Sequence, residues 1–206
     1  INSYIIKKFY ISYFNSYIKL FKSIGVESIT NIQYLKNKTN LKNIFYLPNW
    51  INLRKSNLYA KKFENSFIFS GNLGAAQNLD KVFEFYTKLN KLNSKSNLCV
   101  LGEGMIKTNP KKMQQLNIKF ISKKVSFQRY LKVLENYQYG IISLKDEIKT
   151  VNFPGRLLTY LNCGLPIVLL TRKNNEHSKF INNNKIGVSI KPSEKISSKI
   201  KKLNMI

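Results

Sequence analysis

Three short loops contain the residues best suited to bind a ligand: Gly71–Gly74, Gly102–Gly104 and Phe153–Gly155. Glycine lets the backbone approach a ligand closely and present its N–H groups, and a helix that follows adds the positive end of its dipole. A diphosphate is the ligand that such loops suit. The spacing of Gly71 and Gly74 differs from the GxGxxG of a dinucleotide-binding fold, so the loops indicate a nucleotide ligand but not a dinucleotide.

Short apolar runs alternate with helical patterns from Ser66 onward. We predict six strands, at residues 66–70, 97–101, 118–121, 139–143, 166–170 and 187–190. Helices are predicted at residues 78–92, 109–116, 126–136, 154–163, 175–183 and 193–203. This alternation is typical of a doubly wound α/β domain with a parallel sheet. Because ligands of such domains bind at the carboxyl ends of the strands, we expect the three glycine loops to meet in one cleft.

The first 24 residues place apolar side chains at helical spacing, with lysines at positions 7, 8, 19 and 22 between them. One interpretation is a domain helix that packs against a sheet outside this sequence. The other is a basic amphipathic helix on an anionic membrane surface. A strand, a helix and a second strand are predicted next, at residues 26–30, 31–40 and 43–47. Pro48 ends the second strand, and the polar stretch 52–65 is predicted to be a linker.

The formal net charge of +25 raises the question of a nucleic-acid partner. Only four of the 35 basic residues are arginine, and arginine is the side chain whose fork reads guanine edges and phosphates. The lysines accompany many Asn and Ile residues along the whole length, as the codon usage of an AT-rich genome would produce. Charge-driven RNA binding is therefore disfavoured, and an anionic membrane is the better candidate for a charged partner.

Metal and disulfide chemistry are not indicated, because Cys99 and Cys163 lie far apart and outside any CxxC or Cys/His spacing. His177, the only histidine, follows Glu176 in a polar stretch and is interpreted as a surface residue and not a base. No apolar run of about 18 residues predicts a membrane-spanning helix, and the first residues do not resemble a signal peptide. A cytoplasmic protein is expected, and the initial Ile1 indicates a start inside a longer reading frame.

Four segments resemble motifs of the family 4 glycosyltransferases. Residues 71–80 resemble the G-N-L-G-x-x-Q-G-L-D/E sequence that opens the donor domain in one branch of that family. Residues 100–104 resemble its V-x-G-x-G strand end, and residues 153–168 resemble its P-x-K-x-x-x-Y-x-x-x-G-x-P-V block. Pro48–Ile51 is similar to the sequence that ends the first domain of these enzymes. The four motifs occur in the family's order.

The resemblance implies the C-terminal half of a GT-B fold, a Rossmann-like domain that binds a nucleotide-sugar donor. Residues 1–52 would be a remnant of the N-terminal acceptor-side domain with its linker, and residues 53–206 the donor-binding domain. The implied reaction transfers a hexosyl or N-acetylhexosaminyl group, with retention, from a UDP-linked donor to a cell-surface glycan or lipid-linked acceptor. The nucleotide-sugar is a substrate, and neither a cofactor nor a metal is implied. The enzyme would work in the cytoplasm or at the inner face of the membrane.

The resemblance also assigns donor binding to a set of residues, namely Gly71, Asn72, Gly74, Gly102, Glu103, Gly104, Val125, Pro154, Gly155, Arg156, Leu157 and Thr159. Arg156 is either the cation nearest the diphosphate or an ordinary solvated residue in the first turn of the helix. Val125 either meets the nucleobase through its backbone or only staples the following helix. Glu103 either binds a hydroxyl or faces water, and Asp146 and Glu147 either meet the donor sugar or form a charged loop tip. No catalytic residue is implied within this chain.

Two departures from the family pattern weaken the expected site. The lysine that usually follows the first glycine loop is replaced by Ala75 and Ala76, and the two glutamates of the E-x7-E motif fall on Val151 and Thr159. Thr159 still offers a hydroxyl. We therefore expect a fragment or partial copy, with donor binding possible but weakened and turnover doubtful. The alternatives are a non-catalytic partner subunit of a glycosyltransferase, which the two alanines favour, and a nucleotide-sugar epimerase-like GT-B protein, which would need more acids and histidines.

Overall fold

The computed structural model describes residues 3–18, 20–39, 41–53, 62–104, 114–122, 125–145, 153–171, 175–191 and 194–203. These residues form two compact units. The first unit contains the described residues up to Asn49 together with Phe153, and the second contains the other described residues. The predicted helix at 109–116 and the predicted linker at 52–65 extend beyond the described ranges, and Asp146, Glu147 and Val151 lie outside them.

The first unit is a β-α-β arrangement preceded by a helix. Its elements are α1 (Ser3–Ile18), β1 (Ile24–Val26), α2 (Ile29–Lys38) and β2 (Ile44–Tyr46). The two strands pair in parallel. β1 ends earlier than the strand predicted at residues 26–30, because the Ser28 hydroxyl caps α2 by accepting a hydrogen bond from the Asn31 N–H at 3.1 Å.

Helix α1 exposes a broad apolar face. Large apolar side chains recur along it at helical spacing, and the following are exposed: Ile6, Phe9, Tyr10, Tyr13, Phe14 and Tyr17. Ile18, at the end of the helix, is buried. Among the described helices, none combines the length and apolar character that crossing a membrane requires.

The second unit is an α/β domain in which strands and helices alternate. Its elements are β3 (Ser66–Ser70), a 3₁₀ turn (Ala75–Gln77), α3 (Leu79–Leu92), β4 (Asn97–Leu101), β5 (Ile118–Ile121), α4 (Phe127–Glu135), β6 (Tyr139–Ser143), α5 (Gly155–Asn162), β7 (Ile167–Leu170), α6 (Glu176–Asn183), β8 (Gly187–Ile190) and α7 (Ile196–Leu203). All strand pairs are parallel, and the sheet order is β5-β4-β3-β6-β7-β8. The predicted doubly wound parallel sheet is confirmed.

The sheet reverses its winding at β3. The chain moves outward from β3 to β4 and β5, and then returns to place β6 on the other side of β3. This order leaves a crevice beyond the carboxyl ends of β3 and β6, which is where ligands bind in open parallel sheets.

Apolar packing holds the helices on the sheet. β3, β4, β6 and β7 are buried along nearly their whole length, as expected for strands covered on both faces. One face of α3 is buried through Val82, Phe85, Tyr86 and Leu89, which recur every three or four residues. Burying a large apolar side chain contributes about 1.5–3 kcal/mol, so this face anchors α3 firmly.

His177 is buried in the first turn of α6, so its predicted surface position is wrong. A capping box between Asn175 and Ser178 begins the helix. His177 lies four residues before the buried Ile181, and residues at that spacing share one helix face. The polar neighbours of His177 in the sequence therefore reflect the cap and not a solvent-exposed loop.

Candidate functional site

Two glycine loops meet at the carboxyl ends of β3 and β4. The Gly71 N–H donates to the Leu101 carbonyl oxygen at 2.9 Å, and the Leu73 N–H donates to the Glu103 carbonyl oxygen at 2.8 Å. A Cβ atom at Gly102 would lie 1.8 Å from the Gly71 carbonyl oxygen. The loops can approach this closely only because position 102 carries no side chain.

Positive backbone angles also require glycine in these loops. Gly71 has φ +116° and Gly104 has φ +154°, a region that residues with a Cβ rarely adopt. Gly74 instead has an extended backbone and precedes the 3₁₀ turn, where Asn72 lies beside it. Asn72, Glu103 and Gly104 are exposed.

The third loop leads into α5. Pro154 occupies the position before the helix, and the Leu157 N–H donates to its carbonyl oxygen at 2.8 Å. The first turn of a helix leaves backbone N–H groups without an intrahelical acceptor, and the helix dipole favours an anion there. Gly155 is exposed, and a Cβ added to it would meet no atom within 4 Å. The start of α5 thus has open space beside it.

Arg156 joins α5 to the first glycine loop. Its Nη2 donates to Gln77 Oε1 at 2.6 Å, and its guanidinium carbon lies 4.9 Å from the centre of the Phe69 ring. A Cβ at Gly71 would lie 3.2 Å from Nη2. Among the side chains of the described residues, Nη1 of Arg156 is buried and has no hydrogen-bond partner. An oxygen of a bound anion would satisfy that nitrogen.

A cluster of hydroxyl groups lies beneath Arg156, at the end of β3. The Tyr160 hydroxyl accepts a hydrogen bond from the Ser70 N–H at 2.9 Å, and Ser70 Oγ lies 2.9 Å from Tyr160 Oη and 2.7 Å from Tyr130 Oη. Burial raises the pKa of both tyrosines, so the hydroxyls stay protonated. The cluster ties the first glycine loop to α4 and α5.

Gly140 in β6 makes this cluster possible. A Cβ at Gly140 would lie 2.3 Å from Cδ2 of the Tyr160 ring, so any side chain there would push the ring away from Ser70. From the sequence alone, we did not expect Gln77, Tyr130 or Gly140 to belong to the site. The one available signal for Gly140 was a glycine inside a strand pattern, which often marks a close approach.

The structure brings some of the predicted site residues into contact, and it gives others a role in the packing or hydrogen bonding of their own helix. Gly71, Gly102 and Arg156 lie side by side. Leu157 is a buried core residue, so only its backbone is near the helix start. The Thr159 hydroxyl donates to the Gly155 carbonyl oxygen at 3.3 Å within α5. Val125 is half-buried next to Ser126, whose hydroxyl caps α4.

The backbone after β6 contacts the loop in which the sequence has two alanines. The Lys145 N–H donates to the Ala76 carbonyl oxygen at 3.0 Å, which places the segment after β6 against the 3₁₀ turn. Ala76 is exposed.

A separate cavity of about 360 Å³ is lined by Trp50, Ile51, Asn52, Phe127 and Asn162 and includes none of the glycines.

Several solved structures share the fold of this chain. TarM matches with a TM-score of 0.69 at 18% identity, over 97% of this chain and 38% of its own. The pneumococcal O-GlcNAc transferase GtfA, solved with UDP and GlcNAc, matches with a TM-score of 0.68 at 13% identity, over 95% and 39%. A GtfA/B complex matches with a TM-score of 0.60 at 14% identity, over 89% and 37%. The chain thus spans about two fifths of these proteins.

No curated protein matches the chain. A family model does: the one described as "Glucosyltransferase 3-like, C-terminal domain" matches residues 68–205. Those residues contain nearly all of the six-stranded parallel sheet and the three glycine loops. Together with the fold shared with the glycosyltransferases above, this match indicates the C-terminal domain of a GT-B glycosyltransferase. The chain therefore belongs to the glucosyltransferase 3-like family, whose C-terminal domain it carries at residues 68–205.

Proposed function

We propose that this chain is the donor-binding half of a glycosyltransferase of the family 4 type. Its ligand would be a UDP-linked sugar. The observation that carries the proposal is the meeting of Gly71, Gly102 and Arg156 at the carboxyl ends of β3 and β4. Those groups come from three separate parts of the sequence. They combine close-approach backbone with a cation, which is the chemistry that a diphosphate requires.

The diphosphate of the donor would lie between the Gly71–Gly74 loop and the start of α5. Arg156 would supply the positive charge and a hydrogen bond from Nη1, which lacks a partner among the described side chains. The open space at Gly155 would admit the phosphate oxygens. Gly104 and Glu103 would line the neighbouring part of the cleft, and Val125 would face the nucleobase.

In the proposed reaction, the bond between the sugar C1 and the UDP phosphate oxygen breaks, and a bond from C1 to an acceptor hydroxyl oxygen forms. The proton of that hydroxyl passes to the departing phosphate oxygen. Negative charge then grows on the departing UDP. Arg156 and the α5 dipole would stabilise that charge, in a site that uses no metal or cofactor. The sugar would be a hexose or an N-acetylhexosamine, in line with the UDP and GlcNAc bound to GtfA. We propose that it is transferred with retention.

The acceptor would be a cell-surface glycan or a lipid-linked acceptor, contacted outside the donor-binding unit. The exposed apolar face of α1 is consistent with either interpretation of that helix, a place in a larger acceptor-side domain or an anionic membrane surface at the cytoplasmic side. Sedimentation with vesicles of phosphatidylglycerol distinguishes them. Membrane binding predicts a bound fraction that falls with salt, and domain packing predicts none.

A non-catalytic partner subunit is the second candidate. Two observations favour it: Ala75 and Ala76 stand where the family 4 glycosyltransferases usually have a lysine, and the Thr159 hydroxyl is already bonded within α5. A partner subunit would bind nucleotide weakly or not at all and would raise the activity of another transferase. Nucleotide affinity and activation therefore separate the two candidates.

Titration calorimetry with UDP, GDP, ADP and uridine tests the proposal on this chain. We expect UDP to bind, uridine to bind more weakly, and added salt to weaken UDP more than uridine, because the diphosphate contacts are ionic. Absence of binding for all the nucleotides at millimolar concentration would contradict donor binding and favour the partner subunit.

A further inference from the structure

Arg156 has an unusual set of contacts for a half-buried arginine. One η-nitrogen, Nη2, is bonded to the neutral amide oxygen of Gln77 at 2.6 Å. The guanidinium lies against the Phe69 ring. Nη1 is buried without a partner among the described side chains. In the part of the chain that the structure describes, no carboxylate forms an ion pair with Arg156.

Gln77 is placed to control the orientation of this guanidinium. It ends the 3₁₀ turn that follows the first glycine loop, and 79 residues separate it from Arg156 in the sequence. A guanidinium is planar, so fixing Nη2 at Gln77 and the plane at Phe69 also fixes the direction of Nη1. A glutamine oxygen does this without neutralising the cation, as a carboxylate would.

We propose that Gln77 is a positioning residue, which holds Arg156 through Nη2 so that Nη1 meets an oxygen of the donor diphosphate. The inference rests on the proposed function, since it names the residue that prepares the same site. Under this proposal, one pre-oriented arginine takes over the charge contact that the family 4 lysine would make at Ala75 or Ala76.

The expected size of the effect follows from preorganisation. Without Gln77, the long Arg156 side chain must be ordered when the ligand binds, and ordering one such side chain weakens binding by about two- to tenfold. Loss of the charged hydrogen bond itself, as in Arg156→Ala, weakens binding by about 10- to 150-fold. Gln77→Ala should therefore have the smaller effect, and only where Arg156 is present.

A double-mutant cycle in titration calorimetry tests the proposal, with UDP and uridine as ligands. The variants are Gln77→Ala, Arg156→Ala and the double substitution, and Gln115→Ala serves as a control because Gln115 is exposed at the other end of the sheet. Circular dichroism checks that each variant is folded. We expect Gln77→Ala to weaken UDP about two- to tenfold, to leave uridine unchanged, and to add nothing in the Arg156→Ala background.

A charged variant keeps the test decisive if Arg156→Ala leaves no measurable binding. Gln77→Glu retains the hydrogen bond to Nη2 but adds a carboxylate that neutralises the guanidinium, so UDP should bind more weakly to it than to Gln77→Ala. The positioning role would be overturned if the two variants bound UDP equally well, or if Gln77→Ala left the UDP affinity unchanged. UDP binding by the native chain would still support the proposed function in either case. If the native chain binds no nucleotide, both proposals are wrong.

Discussion

The substitution Gly155→Asp tests whether the diphosphate lies at the start of α5. A Cβ at this position meets no atom within 4 Å, so the aspartate has room in the unliganded protein. A carboxylate in the first turn of a helix stabilises it by about 0.3–1 kcal/mol. We therefore expect the variant to be at least as stable as the native chain, and any loss of binding cannot be attributed to unfolding.

The magnitude follows from the charge that the substitution adds. Two like charges about 4 Å apart repel by about 1 kcal/mol when fully solvated and about 4 kcal/mol near a protein surface of effective dielectric constant about 20. These energies correspond to a loss of UDP affinity of about fivefold to about a thousandfold. Uridine carries no phosphate and should lose nothing through this repulsion.

The assay compares Gly155→Asp with Gly155→Asn, whose side chain has nearly the same size and no charge. Dissociation constants for UDP and uridine are measured by calorimetry at low salt, and thermal unfolding is followed alongside. The aspartate variant should bind UDP at least about fivefold more weakly than the asparagine variant, with equal uridine affinities. If the two variants bind UDP equally well, the phosphates are not at α5 and the reasoning is wrong.

Two further substitutions extend the test. Ala76→Lys adds the charge that the family 4 glycosyltransferases usually carry after this loop and should tighten UDP binding by about 10- to 150-fold in calorimetry; an equal gain for uridine would refute the place given to this loop. Tyr160→Phe removes the hydroxyl that holds Ser70 and should lower the free energy of unfolding by about 1–3 kcal/mol in urea denaturation, with Tyr34→Phe, an exposed tyrosine of α2, as the matched control. An unchanged midpoint would mean that water replaces the hydroxyl at no cost.

The alternation of apolar runs and helical patterns was sufficient to predict the parallel sheet, because each buried strand is an apolar run bounded by turn residues. The boundary of β1 was wrong because a single cap, the Ser28 hydroxyl, decides where α2 begins. His177 was misplaced for a related reason: its polar neighbours serve the helix cap. Local hydrogen bonds of this kind compete with periodicity and are hard to weigh from residue type alone.

Among the site residues, only those whose role depends on the backbone conformation were predictable from the sequence. Glycine is visible in the sequence at both positions that need it: a Cβ at Gly102 would collide with the Gly71 carbonyl oxygen, and the positive φ of Gly71 disfavours any side chain. The contact of Arg156 with Gln77 was not visible in the sequence, because only the folding of the sheet brings the two residues together. Thr159 shows the converse. Its hydroxyl was expected to be available, but in a helix it bonds the carbonyl four residues earlier.

A crystal structure of this chain with UDP would show directly whether the glycine loops and Arg156 bind the diphosphate. We expect the diphosphate to lie between the Gly71–Gly74 loop and the first turn of α5, with a phosphate oxygen within hydrogen-bond distance of Arg156 Nη1. Gln77 Oε1 should keep its bond to Nη2 in that complex. UDP bound elsewhere, or in this cleft with Nη1 still unpaired, would show that these loops and Arg156 do not form the donor site.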